Sequence, residues 1–323
     1  MRDFRFNYII TIHNKQDLIE QVLLGVIEAW REGSHIYPVL DGCNDNTESI
    51  IDNLAVKFPN VPITKITAPD VHEIKSINIA LRQVPQNEKG VNIILQDDVV
   101  LQEPELEARI KSVYDRIGYS RIGNLVFRHG VNIYLDNISK TIEERDLIES
   151  VYGVGMCSYP LERGWLIERM VGVRSPECIS CEVISKVGVM DEVLAPYTYD
   201  NHDMSLRCLQ AGYHNYVFGL KFKSDIKWGG TRTNPHPEYS RVVERNKHYL
   251  YKKHKDFLDK FMLTREFREL KQVKAIDFGS VKDSADISLY NRHRKDMVGK
   301  KIYYISKYFK DPLKKLLISL NLY

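Results

Sequence analysis

Apolar runs and amphipathic stretches alternate through the first hundred residues of the chain. Tyr8-Ile9-Ile10-Thr11-Ile12 reads as a buried strand. His13-Asn14 then turns into a helix with Leu18, Val22, Val26 and Trp30 on one face. Gly33 closes that helix, and Ile36 to Leu40 predict a second strand ending at Asp41. Asp45-Asn46-Thr47-Glu48 has the form of a capping box for a helix that buries Ile50, Ile51 and Leu54. Pro62 to Thr67 predicts a third strand, and Ile74 to Val84 a helix with Ile77 and Leu81 facing inward. Val91 to Leu95 then reads as a central strand that surfaces at Gln96-Asp97-Asp98. This alternation predicts an α/β fold with a parallel, doubly wound sheet. Ligands in such sheets bind beyond the carboxyl ends of the strands, which makes Asp41, Asp97 and Asp98 candidate site residues. Each also suits an ordinary solvated turn.

Downstream the pattern loosens. Leu106, Ile110, Val113 and Ile117 predict a helix, and Leu125–Phe127 and Asn132–Leu135 short strands. Tyr152 to Arg174, rich in glycine and aromatics, has no clear period and suits a loop or an acceptor-contacting surface. Glu182 to Val187 predicts a short helix closed by Gly188. Asp203, Leu206 and Leu209 begin an amphipathic helix that ends near Gly212. Asp200 is its expected N-cap, and Asp203 lies in the first turn, where the helix dipole favours an anion. Such carboxylates can serve as caps, and they can also face the crevice.

Past Pro235-His236-Pro237 the composition shifts to charged helix, dense in Lys, Arg and Tyr from Arg241 to Lys274. Two units are therefore expected, an α/β domain over 1–235 and a helical extension over 236–323. In the last segment Ile302, Ile305, Phe309, Leu313, Leu316 and Leu320 share one face, with Lys300, Lys301, Lys307, Lys310, Lys314 and Lys315 beside them. A basic amphipathic helix of this kind suits an anionic membrane surface or docking on its own domain. Vesicle flotation of the chain lacking residues 299–323 would separate the two.

Composition narrows the classes. The 323 residues carry a net charge of +3, with 43% hydrophobic and 28% charged residues, as in an ordinary soluble globular protein. That charge is too small to predict a nucleic-acid partner. Met1 leads into Arg2, Asp3 and Arg5, and no apolar run approaches the ~18 residues of a bilayer span, so a cytoplasmic location is expected. If the last helix binds lipid, that location becomes peripheral on the inner membrane face. The five cysteines form no framework. Cys178 and Cys181 make a lone C-x-x-C with no second pair for zinc.

Several stretches, in this order, resemble the family 2 glycosyltransferases. Tyr8–Asn14 is similar to the family's opening strand and turn, and Asp41-Gly42-Cys43-Asn44-Asp45-Asn46-Thr47 to its D-x-x-S-x-D-x-T turn. Glu73-Ile74-Lys75-Ser76-Ile77-Asn78 resembles a G-K-x-x-A-x-N helix start without the glycine. Gln96-Asp97-Asp98 resembles the D-x-D motif, with Gln first. Cys181 to Arg207 resembles the long G-x-x-D-E…E-D-x-D-L-x-x-R run. The resemblance covers about residues 6–235.

It implies a GT-A type, doubly wound, mostly parallel sheet with the C-terminal extension appended. It further implies an inverting enzyme that moves a sugar from a nucleotide-diphospho-sugar to a hydroxyl of a glycan or lipid-linked acceptor, with cell-surface polysaccharide or glycolipid as the expected product. Thr11, His13, Asn14, Asp41, Lys75 and Asp97 would then contact the donor, with Asp41 at the base and Asp97 near the ribose or the metal. Asp98 would hold Mn²⁺ or Mg²⁺, for which oxygen ligands are suited. The family's E-D pair falls on Asp200-Asn201 and its next acid on Asp203, which makes Asp200 the first candidate base and Asp203 the second. Asn201 cannot act as a base, and Lys227 stands where a histidine ligand is usual, with Asp225 and His236 as possible substitutes. These departures keep open a non-catalytic sugar-nucleotide-binding protein. A nucleotidyltransferase fits less well, because His13-Asn14-Lys15-Gln16 is not a glycine-rich phosphate loop.

Overall fold

A computed structural model of the chain describes residues 4–86, 89–128, 130, 132–135, 147–150, 163–173, 175–224, 228, 238–261, 263–264 and 275–279. Its first part is β1 (Arg5–Ile12), α1 (Ile19–Ala29), β2 (His35–Asp41), α2 (Thr47–Lys57), β3 (Ile66–Ala68), α3 (His72–Gln83) and β4 (Gly90–Gln96). The strands lie in the order β4-β1-β2-β3, all parallel, as the alternation predicts. Successive side chains take opposite faces of a strand. Tyr8, Ile10 and Ile12 of β1 join a core with α1, while Ile9 joins another with Ile74 and Ile77 of α3. Burial on both faces is why these strands read as continuous apolar runs.

Two local expectations shift. The third strand is shorter and later than Pro62–Thr67, because Pro62 has no N–H for a ladder and only accepts a bond from the Ile36 amide at 2.9 Å. At the start of α2, Asn46 makes no side-chain cap, and Asp45 Oδ1 instead accepts from the Thr47 amide at 3.0 Å.

The remainder comprises β5 (Val100–Leu101), α4 (Leu106–Ile117), β6 (Ile122–Val126), β7 (Asn132–Leu135), β8 (Leu147–Ser150), β9 (Trp165–Arg169), β10 (Glu177–Ser180), α5 (Cys181–Val187), α6 (Asp200–Gln210), β11 (His214–Phe218), β12 (Phe222–Lys223), α7 (Tyr239–Phe261) and β13 (Ala275–Asp277). It completes a nine-stranded mixed sheet, β13-β9-β11-β6-β10-β4-β1-β2-β3. β10 runs antiparallel to both β4 and β6. Its first residue therefore pairs near the end of β4, Glu177 opposite Ile94, and brings a buried carboxylate into the sheet there.

The charged extension is not purely helical among the described residues. Ala275–Asp277 adds an edge strand to β9, a segment too short to show any period. α7 packs Leu250, Leu258 and Phe261 against Met170, Val171, Leu206 and Leu209. No helix among the described residues is long and apolar enough to cross a membrane. The basic stretch at 299–323 lies outside the described residues, as do Cys157, Asp225, Lys227 and His236. Cys178 and Cys181 are buried free thiols.

Between α6 and α7 sits a buried ionic cluster. Asp203, fully buried, accepts from Arg207 Nε at 2.7 Å, His254 Nε2 at 2.8 Å and Lys253 Nζ at 2.6 Å. Gln210 Nε2 lies 3.1 Å from His254 Nδ1 and can only donate to it, which leaves the ring proton on Nε2, facing Asp203. Burial raises the carboxyl pKa, but these donors and cations outweigh it and hold Asp203 well below the usual carboxylate range. The folded-state pKa is thus lower than the unfolded value of about 3.9. The stabilisation is then fully present above that value and lost as pH falls toward the folded one. Asp203→Asn is expected to cost about 3–5 kcal/mol at pH 7, the range for breaking a buried ion pair. In urea melts, the gap between the two proteins should shrink below about pH 4. A gap independent of pH would contradict the assignment.

Candidate functional site

The carboxyl ends of β1, β2 and β4 open onto a cleft of about 620 Å³. Thr11 and Gln96 stand side by side in the β1–β4 register, and both line it. Asp41, from the end of β2, is buried at the cleft wall, and its Oδ1 accepts from the Val71 amide at 2.8 Å. His13 follows β1, and its Nδ1 lies 2.6 Å from the Asp41 carbonyl oxygen. Asp97 and Asp98 lie in the turn after β4, at the same cleft.

Asp97 is already engaged. Its Oδ2 accepts from the His13 amide at 3.1 Å, and Lys15 Nζ lies 3.3 Å from its Oδ1. Burial raises its carboxyl pKa against the pull of Lys15. Lys15 itself lines the cleft and also donates to the Trp228 carbonyl at 2.9 Å. Arg128 adds a second cleft-lining cation, anchored by its Nε on the Ser175 carbonyl at 2.6 Å. Sequence reasoning passed over both. For Lys15 the available signal was a cation in the turn directly behind the first strand. Arg128 gave none.

At the far wall, α6 begins at Asp200, and the residue ahead of it is Tyr199 in a left-handed conformation. Asp200 is thus the first helical residue rather than the N-cap the sequence suggests. Asp200, Asn201 and His202 all line the cleft.

Gln96 and Asn201, the two amides where the sequence resemblance expects acids, each lie on a carboxylate from a different element. Gln96 Nε2 donates to Glu73 Oε1 at 2.5 Å, and Glu73, in the first turn of α3, also lines the cleft. Asn201 Nδ2 donates to Glu177 Oε2 at 2.6 Å, and Asn124 Nδ2 reaches the same oxygen at 3.1 Å. A carboxylate at 201 would face buried Glu177 with no proton between them. Asn201→Asp is expected to destabilise the fold by about 3 kcal/mol, as an uncompensated buried charge does. Adding Glu177→Gln should restore most of that loss. Additive effects in a double-mutant cycle of chemical denaturation would show that the pair is not coupled.

Three predicted site residues stand elsewhere. Asp203 is not among the cleft-lining residues, because its carboxylate is held between α6 and α7. Lys75 projects exposed from α3, also outside the cleft lining, and its charge acts on Glu192. Asn14 is exposed and shapes the neighbouring turn, its Oδ1 accepting from the Asn44 amide at 2.8 Å. Periodicity puts Lys75 on the outer face of its helix, and a one-dimensional motif does not carry that direction.

No protein-family model and no curated protein sequence matches the chain. Solved structures do. GalNAc-T7, solved with UDP, GalNAc and Mn²⁺, is 13% identical over 85% of this chain and 58% of its own, at a TM-score of 0.52. The chain has the GT-A fold. The mannosyltransferase PcManGT from Pyrobaculum calidifontis, in complex with GDP-Man and Mn²⁺, is 12% identical over 82% of both chains, at a TM-score of 0.48. S. aureus TarS is 13% identical over 82% of this chain and 77% of its own, at 0.47. The cleft lies beyond the carboxyl ends of the parallel strands, where open α/β sheets bind ligands.

Proposed function

We propose that the chain is an inverting glycosyltransferase that moves a sugar from a nucleotide-diphospho-sugar to an acceptor hydroxyl. The observation carrying this reading is the convergence of Asp41, Asp97, Asp98 and Asp200, from three separate segments, on one cleft at the strand ends of a GT-A fold. Asp41 and Thr11 would hold the nucleoside end, and His13 would fix the Asp41 turn against β1. Asp200 would take the acceptor proton as the hydroxyl attacks C1 from the face opposite the diphosphate.

The residues at Asp97 and Asp98 suit Mn²⁺ or Mg²⁺. Both offer hard oxygen atoms, and Mg²⁺ is commonly held by one or two carboxylates together with substrate phosphates. Among the described residues no group of three or more His, Cys, Asp or Glu side chains is arranged to hold a metal, so the donor diphosphate would complete the site. A cation bound there would neutralise charge on the leaving diphosphate. Lys15 and Arg128 would add to that neutralisation. Titrating UDP-, GDP- and TDP-sugars with and without Mn²⁺ in a thermal-shift assay tests the reading. One donor should raise Tm, and more so with Mn²⁺, by mass action on the folded state. No shift with any of them would sink it.

A second reading, a non-catalytic sugar-nucleotide binder, draws on the commitment of Asn201 to Glu177, which leaves Asp200 as the carboxylate at the start of α6 that lines the cleft. Donor binding without slow donor hydrolysis, and without transfer to any acceptor, would favour it.

A further inference from the structure

We propose that Tyr197 and Tyr239 form a stacking platform for the pyranose ring of a carbohydrate acceptor. The inference rests on the glycosyl-transfer reading and specifies its acceptor class. Both rings line the cleft. They come from different elements, the loop before α6 and the first residue of α7, and stack on each other with centroids 5.6 Å apart and planes 26° from parallel. Neither is buried, so the pair is not part of the apolar core.

The loop that presents Tyr197 is held at a cost. Thr198 and Tyr199 both adopt positive φ, 76° and 64°. A β-branched residue is an outlier there, and each such residue costs on the order of 1–3 kcal/mol. A loop selected for stability alone would carry Gly or Asn at these positions. The conformation is imposed from α7. Asn246, fully buried, donates through Nδ2 to the carbonyls of Leu194, Tyr197 and Thr198 at 2.7, 2.9 and 3.1 Å, and Arg245 Nη2 donates to the Ala195 carbonyl at 2.5 Å. Tyr249 and Lys253 fix Asp191 at the start of the same segment. One helix thus clamps a strained loop and, with its own first residue, supplies the other half of the ring pair. Strain retained in this way clusters at ligand sites.

The chemistry around the rings selects the ligand. The platform leads directly into Asp200, the cleft-lining carboxylate two residues after Thr198, and Glu73 and His202 share the cleft. A ligand that fits must present an apolar face to the tyrosines and hydroxyls to the acids. A pyranose does so, with axial C–H groups on its faces and hydroxyls around its rim. An alkyl chain laid along the same wall would desolvate carboxylates without replacing their hydrogen bonds.

Saturation-transfer NMR with methyl gluco-, galacto- and mannopyranosides, recorded with and without UDP and GDP, tests the platform. Irradiating the aromatic protons should label the ring C–H protons of at least one glycoside. Tyr197→Ala and Tyr239→Ala should each weaken that glycoside about tenfold, the scale of one aromatic contact. Tyr197→Phe and Tyr239→Phe should retain it, because the ring face rather than the hydroxyl makes the contact. Nucleotide affinity, unchanged in all four variants, serves as the folding control. Nucleotide binding with no glycoside binding, or glycoside binding unaffected by both alanine variants, overturns the platform and leaves the donor reading intact. Failure of every nucleotide to bind the unaltered protein defeats the donor reading itself.

Discussion

Replacing Asp98 with alanine is expected to remove the Mn²⁺-dependent part of donor binding and to slow transfer by about a hundred- to a thousandfold, the several kcal/mol that charge neutralisation by a metal supplies. The expectation follows from where the charges lie. Asp97 is held by the His13 amide and the Lys15 ammonium, so its oxygens already have cationic and N–H partners. Asp98, buried in the same turn and lining the cleft, is the neighbouring carboxylate that the first-choice metal role falls to. Thermal shift with the best donor should become insensitive to Mn²⁺ in the variant, while the metal-free shift persists through Asp41 and Lys15. If Asp98→Ala keeps the full Mn²⁺ increment, the metal assignment is wrong. A companion Lys15→Met variant separates the two cations: it should weaken donor binding without metal, and leave the Mn²⁺ increment in place.

The second large effect concerns Asp200. Asp200→Asn preserves shape but removes the charge and the ability to take a proton, so donor affinity should stay within about twofold while turnover falls by about 10²–10⁴, the usual contribution of a general base. Asp203 provides the contrast. It lies three residues along the same helix, but its carboxylate is shared by Arg207, Lys253 and His254 behind the cleft wall. Changing it should lower stability first, with activity following the folded fraction. Single-turnover kinetics at a temperature well below each variant's Tm distinguish the two outcomes. Equal loss of turnover per folded molecule in both variants would contradict the division of roles.

Much of the first half of the fold was legible in one dimension. β1, β2 and β4 are buried on both faces, which leaves unbroken apolar runs in the sequence, and α1, α3 and α4 keep one apolar face each. Parallel pairing follows from the intervening helices. The second half was less legible because its pairings are mostly antiparallel and long-range. β10 enters from the opposite end, and β13 reaches β9 from more than a hundred residues away with only Ala275-Ile276-Asp277 to mark it.

The candidate site divides in the same way. The sequence by itself determined which acids come at strand ends, Asp41, Asp97 and Asp98, because a strand's period and its exit are local properties. It also marked Gln96 and Asn201 as amides where the resemblance to the glycosyltransferases expects acids. Only the tertiary structure decided what faces those amides: Glu73 from a helix start lies on Gln96, and Glu177 from an antiparallel strand lies on Asn201. It likewise sent Asp203 and Lys75 out of the cleft and brought Lys15 in. The physical reason is the range of the interactions. Backbone periodicity is written between neighbours in the chain, whereas a carboxylate's partners are fixed by packing between elements that the chain visits at distant points.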